Sequence, residues 1–163
     1  MKTLILMRHS KAEPYGYEDD YNRALTDKGK TDAQSAGKAL AQRDIIPDTF
    51  VVSSAKRTRQ TAKGVIKALE LSYGELATET DVLYECGSSD IFLSEIQKIN
   101  KSVNTAMIVA HNPSVHYICQ MLCNEKILSF PTSQFAVVEF DTEVWADIEF
   151  GKGSMIEVVN PKQ

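Results

Sequence analysis

The stretch Thr3-Leu4-Ile5-Leu6-Met7-Arg8-His9 decides how this chain is read. Thr3 to Met7 is a short, unbroken apolar run, the pattern of a strand buried on both faces of a sheet rather than one wetted at alternate positions. Arg8 and His9 then stand at the strand's C-terminal tip, so two costly polar groups directly follow a buried segment. Two further runs repeat this arrangement. Thr49-Phe50-Val51-Val52-Ser53 reads as a second buried strand that passes straight into a helix over 54–69, with Arg57 and Arg59 in its first turns. Thr105 to Ala110 reads as a third, ending on His111-Asn112-Pro113.

Between the strands the apolar period changes to that of helices. After a polar loop through 15–23, Thr26 is placed to cap a helix whose apolar positions include Ala33, Ala36, Ala39 and Leu40. Residues 88–99 have helical spacing, and 76–83 fits either state. Pro113 suits the first position of a helix reaching about Cys123, where its missing N–H costs nothing. Gln134 to Phe140 and Met155 to Val159 read as late strands, separated by a turn-rich stretch with Gly151 and Gly153. This alternation predicts the α/β class, as a three-layer α/β/α sandwich with a mostly parallel central sheet.

Composition narrows the function. A chain of 163 residues that is 43% hydrophobic fits a single domain over 1–163, with no linker, repeat or low-complexity tract. A formal net charge of −4 argues against nucleic acid or an anionic membrane as partner, so any anion site must be local. Cys86, Cys119 and Cys123 lack a disulfide or zinc-ribbon arrangement and read as small core residues in a reducing compartment. The apolar run near the start stops at Arg8-His9, too short for a signal peptide, and nothing approaches the roughly 18 apolar residues of a membrane span. A cytoplasmic protein is expected.

In open α/β sheets the ligand crevice lies beyond the carboxyl ends of the strands, where helix N-termini also present free N–H groups. Arg8, His9, Arg57, His111 and Asn112 would converge there from three strand tips. Two guanidinium forks match the oxygens of a phosphoryl group and stabilise charge in its transition state. Nearby positive charge favours a neutral His9, whose free lone pair can attack phosphorus. Taken singly, Arg57 reads better as a solvated residue in a helix's first turn, and His111 as a cap for the helix after it. Only their joint placement argues for an anion site.

Four segments carry a resemblance: Leu6-Met7-Arg8-His9-Ser10-Lys11-Ala12-Glu13, Asn22-Arg23-Ala24-Leu25-Thr26-Asp27-Lys28-Gly29, Ser53-Ser54-Ala55-Lys56-Arg57-Thr58-Arg59-Gln60-Thr61-Ala62, and Val109-Ala110-His111-Asn112-Pro113-Ser114. A weaker match runs from Phe130-Pro131-Thr132-Ser133 to Trp145. The chain resembles the histidine phosphatase superfamily, also called phosphoglycerate mutase-like, and within it the short SixA-type phosphohistidine phosphatases. The resemblance implies a phosphoglycerate mutase-like fold and a hydrolase without metal or other cofactor. It implies that His9 is transiently phosphorylated, that Arg8 and Arg57 bind phosphate, and that His111 stabilises the transferring group. Ser10 replaces the glycine of the usual Arg-His-Gly signature, and its hydroxyl is expected to touch phosphate or the adjoining loop.

The same resemblance puts Glu85 where larger superfamily members carry a proton donor, with a solvated loop carboxylate as the competing reading. Arg23 and Lys11 lie on loops near the expected pocket mouth, where either would meet an anionic substrate. Arg59 reads as substrate support or surface, His116 as packing or surface, and Trp145 as core. The expected substrate is a phosphorylated protein, such as a histidine phosphotransfer domain, or a small phosphorylated compound. Phosphoglycerate mutases are longer, with inserts that close over the substrate, and this chain has little room for such a lid. A small-molecule phosphomonoesterase and a phosphate-binding module without turnover are the alternatives.

Overall fold

The apolar run at the start becomes β1 (Lys2–Arg8), with Leu4, Ile5, Leu6 and Met7 all fully buried. Burial of each such side chain contributes about 1.5–3 kcal/mol, an upper estimate against an extended unfolded chain. The computed structural model describes residues 1–14 and 19–162. After β1 come α1 (Asp27–Gln42), β2 (Thr49–Ser53), α2 (Lys56–Ala68), α3 (Tyr73–Leu76), β3 (Ala77–Thr80) and α4 (Asp81–Tyr84). Then follow α5 (Ser89–Gln97), β4 (Thr105–Ala110), α6 (Ser114–Cys123), β5 (Phe135–Phe140) and β6 (Ser154–Val159). Of the expected polar loop over 15–23, residues 15–18 lie outside the described residues, and its end contains a 3-10 turn at Asp20–Asn22.

The strands form one sheet in the order β3-β2-β4-β1-β5-β6. β1, β4, β2 and β3 are mutually parallel neighbours, whereas β5 runs antiparallel to both β1 and β6. The three-layer sandwich expected from the alternation is therefore observed, with β5 alone reversed. Successive residues of a strand face opposite sides. Leu4 and Leu6 thus pack with Phe92, Ile96, Ile118 and Leu122 on the α5/α6 side, and Ile5 and Met7 with Leu40, Val65 and Ile66 on the α1/α2 side.

Local chemistry fixes the helix starts. Thr26 caps α1 as its spacing predicts, its Oγ1 accepting from the Gly29 amide at 3.0 Å. Gly29 has no room for a side chain, because a Cβ there would overlap the Lys11 carbonyl; this packs the start of α1 onto the loop after His9. Pro113 takes the N-cap of α6 rather than its first helical position. The ambiguous 76–83 stretch resolves into β3 followed by the single turn of α4. Trp145 and Cys119 are fully buried and Cys123 is buried to 7% exposure, both cysteines within α6's apolar face, where burial pushes their thiols up to about 12 and about 11. Among the described residues, no helix is long and apolar enough to cross a membrane.

Candidate active site

Sheet register brings the two histidines together. Arg8 on β1 sits opposite Ala110 on β4, so the next residue of each chain segment, His9 and His111, leaves adjacent parallel strands side by side. Neighbouring strands lie about 4.8 Å apart, and the two imidazole centroids are 5.3 Å apart with planes inclined at 58°. The backbone around His9 is pinned from two sides. Its amide donates to the Ala110 carbonyl at 3.1 Å, and the Ser133 amide reaches the Arg8 and His9 carbonyls at 3.2 and 3.1 Å.

The hydrogen bonds of His9 set its chemistry. Nδ1 lies 2.7 Å from the Ser10 carbonyl, an oxygen that only accepts, so Nδ1 carries the proton and Nε2 keeps its lone pair. Burial lowers the His9 pKa to about 4; the Ser10 bond opposes this, while the positive charges of Arg57, Arg8 and Arg23 reinforce it. Near pH 7 the ring is thus a neutral nucleophile. His111 is brought down to about 3 by burial first and then by its neighbours His9 and Arg57. Its Nε2 lies 2.7 Å from Ser53 Oγ at the end of β2, and its Nδ1 is buried without a partner.

The guanidiniums are held by their outer atoms. Arg8 donates from Nη1 to the Phe130 carbonyl at 3.1 Å, and Asn112 Nδ2 donates to the same oxygen at 2.8 Å. Arg57, in the first turn of α2, donates to the Asp20 backbone and side chain at 2.7 and 3.1 Å. The Asp20 carboxylate also accepts from Tyr84 Oη at 2.8 Å and from Arg23 at 3.0 and 3.2 Å. Burial pushes this carboxyl up, but the donors from Tyr84, Arg23 and Arg57 outweigh it and hold Asp20 at about 2.

A cleft of about 350 Å³ joins these groups, lined by Arg8, His9, Lys11, Ala12, Arg23, Arg57, His111, Asn112 and Thr132. Among the described residues, four cations face it and no carboxylate lines it. Among the described residues, the buried side-chain atoms without a hydrogen-bond partner are Arg8 Nε, Arg57 Nε, His111 Nδ1, Asn112 Oδ1 and Tyr73 Oη. All but the last belong to cleft-lining residues. Buried polar groups are normally paired, so the orphaned donors Arg8 Nε and Arg57 Nε mark a site built for an anion that supplies the missing acceptors. A larger hollow of about 480 Å³ beside Gln97, Phe140 and Ile148 contains no such atom.

Arg8, His9, Arg23, Arg57, His111 and Asn112 are therefore brought to one cleft, as the sequence predicts. Ser10 is not. It is fully buried, its amide donates to Thr61 Oγ1 at 3.0 Å, and its hydroxyl accepts from Ser133 Oγ at 2.7 Å. The residue after His9 points the opposite way along an extended chain, so Ser10 buttresses the loop from behind instead of touching ligand. Glu85 caps the end of α4, is exposed, and is absent from the cleft lining. Arg59 donates to the Ser54 carbonyl at 2.9 Å and lies 3.5 Å from Glu79, and His116 Nε2 lies 2.6 Å from the Ile127 carbonyl, so both have structural partners. The supporting residues that the sequence did not single out are Asp20, Ser53, Thr61, Tyr84 and Phe130. For Thr61 a signal existed, a polar side chain on the buried stripe of α2.

The geometry agrees with what the chain resembles. The profile of the Histidine phosphatase superfamily (branch 1) matches residues 4–85. An uncharacterized protein of Mycobacterium tuberculosis, Rv1276c, is 29% identical over 161 residues, covering 92% of this chain and 96% of that protein. The solved structure of the protein histidine phosphatase SixA complexed with tungstate superposes with a TM-score of 0.83 at 25% identity, covering 98% of this chain and 97% of that one. A candidate phosphohistidine phosphatase SixA from Nakamurella multipartitia superposes with a TM-score of 0.84 at 26% identity, over 99% and 97% of the two chains.

Proposed function

As a member of the histidine phosphatase superfamily, in its SixA-type branch, this chain is a phosphatase, and we propose that it hydrolyses protein phosphohistidine through a phosphorylated His9. One observation carries the proposal: Ser10 fixes the His9 proton on Nδ1, which leaves the Nε2 lone pair beside His111 in a cleft where Arg8 Nε and Arg57 Nε are buried without an acceptor among the described residues. Nε2 attacks phosphorus, and the bond from phosphorus to the departing imidazole breaks with its electron pair leaving on nitrogen. Arg8 and Arg57 neutralise the equatorial oxygens, and His111 and Asn112 complete the cradle. Water then attacks phosphorus, the His9 bond breaks, and inorganic phosphate leaves. Residues 1–163 act in this as one domain, in the cytoplasm.

The proton inventory favours a nitrogen leaving group. An alkoxide needs a general acid, but Asp20 is ionised at neutral pH and Glu85 stands outside the cleft. A histidine leaving from a phosphoramidate departs with less help. The test is to incubate the protein, without added metal, with a phosphorylated histidine phosphotransfer domain and with p-nitrophenyl phosphate, comparing wild type with His9→Ala. Phosphohistidine turnover should fall by about 10⁴-fold or more in the variant. Equal release by both forms would defeat the nucleophile assignment. Rapid ester turnover that is lost in Glu85→Gln would instead establish a small-molecule phosphomonoesterase.

A further inference from the structure

Helix α2 departs from the charge balance of the chain. The whole sequence carries 18 Lys and Arg against 22 Asp and Glu. Yet the 13 residues of α2 include Lys56, Arg57, Arg59, Lys63 and Lys67 and no acid. Lys56 and Arg57 occupy its first turn, where the helix dipole already concentrates positive charge and disfavours cations. Arg57 serves the cleft and Arg59 is paired with Glu79. Lys63 and Lys67 lie one turn apart on the same face, a like-charge spacing that weakens an isolated helix. Lys67 lies in the last turn, where the dipole favours a cation, and Lys63 Nζ lies 5.2 Å from the Tyr73 ring, but neither is paired with a carboxylate among the described residues.

These two lysines, with Lys30 from α1, line a shallow groove of about 200 Å³ together with Gln34, Gln60 and Gly64. All three lysines are exposed, and none forms an ion pair among the described residues. The neighbouring acids are spoken for or lie aside: Asp32 pairs with Lys28, Glu79 with Arg59, and Glu70 lies beyond the end of α2. Helix α2 contributes to both the groove, through Gln60, Lys63, Gly64 and Lys67, and the active-site cleft, through Arg57. From Arg57, in the first turn of α2, Lys63 and Lys67 lie six and ten residues on, about 9 and 15 Å along the helix axis. Lys11, on the cleft rim, has its carbonyl packed against Gly29, next to Lys30.

We infer that the Lys30–Lys63–Lys67 groove docks an acidic surface of the protein that carries the phosphohistidine. The inference rests on the protein-phosphohistidine reading above and adds the partner's chemistry. A small phosphorylated compound held at His9 cannot extend along α2 to these lysines, whereas a protein partner, burying on the order of 800 Å² a side, covers that span. Carboxylates on that partner, about 9–15 Å from its phosphorylated side chain, would meet cations that form no ion pair among the described residues. Complementarity of this kind acts chiefly on the rate of encounter and depends on salt.

The test compares wild type with the triple variant Lys30→Glu/Lys63→Glu/Lys67→Glu on two substrates, a phosphorylated histidine phosphotransfer domain with an acidic face and p-nitrophenyl phosphate. The expected result is a loss of about tenfold or more in kcat/KM on the protein, with ester turnover unchanged, which also shows that the variant folds. Raising salt should slow wild type on the protein and leave the variant nearly flat. Full activity of the variant on the protein, or equal loss on both substrates, overturns the docking site. If wild type itself releases no phosphate from the protein, the substrate reading fails, and the docking site falls with it.

Discussion

β1 carries a cation at each end, Lys2 buried and Arg8 half-buried with a buried Nε, and the two are treated oppositely. Lys2, at the N-terminal end, is 2% exposed; its Nζ donates to the Lys101 and Val103 carbonyls at 2.8 and 2.7 Å and approaches Asn104 Oδ1 at 3.3 Å, with the Trp145 ring 5.9 Å away. Arg8, at the C-terminal end, makes a single hydrogen bond among the described residues and keeps a buried Nε with no partner among them. The same strand thus holds a cation that the fold has fully satisfied and one left waiting for an acceptor. Burial alone does not tell structure from function; the account of hydrogen-bond partners does.

Substitution should separate the two. Arg8→Ala is expected to lower kcat/KM by about 10²–10³-fold, the cost of one donor to the transition-state charge, with little change in melting temperature. Its structural bond is redundant, since Asn112 also donates to Phe130. Lys2→Met should do the reverse: activity per folded molecule is kept, and stability falls by about 2 kcal/mol because the Lys101 carbonyl loses its donor. For a chain of this size that is a melting shift of about 5 °C. A Lys2→Met protein with impaired kcat at unchanged stability would blur the contrast.

An oxyanion should sharpen it. Tungstate or phosphate at about 100 times its Kd is expected to raise stability by about 2.7 kcal/mol, read as a shift in melting temperature. The shift should be present in Lys2→Met and lost in Arg8→Ala.

The pH dependence is graded. His9 and His111 have folded pKa values of about 4 and about 3 against an ordinary 6.5. Between about pH 6.5 and pH 4 the unfolded chain binds protons that the folded one refuses, so stability falls as pH is lowered through that window. The slope is about 1.4 kcal/mol per pH unit for each histidine. Calorimetry across that range on wild type and His9→Ala checks it, the variant losing part of the slope.

The local features were legible in the sequence because they are written in short-range chemistry. The Thr3–Met7 run, the Thr26 cap and the strand-to-helix passage at Ser53 follow from polarity and capping preferences over a few residues. The cleft followed as well, because parallel strands must end at the same edge. What stayed hidden depends on pairs distant in sequence. Asp20 meets Arg57 across 37 residues and Tyr84 across 64, from a polar stretch that reads as a plain loop. Which of its two expected contacts Ser10 makes, phosphate or the adjoining loop, depends on Thr61 and Ser133, neither of which a local pattern could tie to it.

The pairing of Arg8 with Ala110 also bears on how this scaffold tolerates change. The imidazole spacing follows chiefly from two neighbouring backbones, with Ser53 at the end of β2 holding the His111 ring. Connections at the far edge of the sheet can lengthen, shorten or be replaced without moving either ring. One residue inserted into β1 or β4 would turn one ring into the opposite layer and leave the guanidiniums facing an empty crevice.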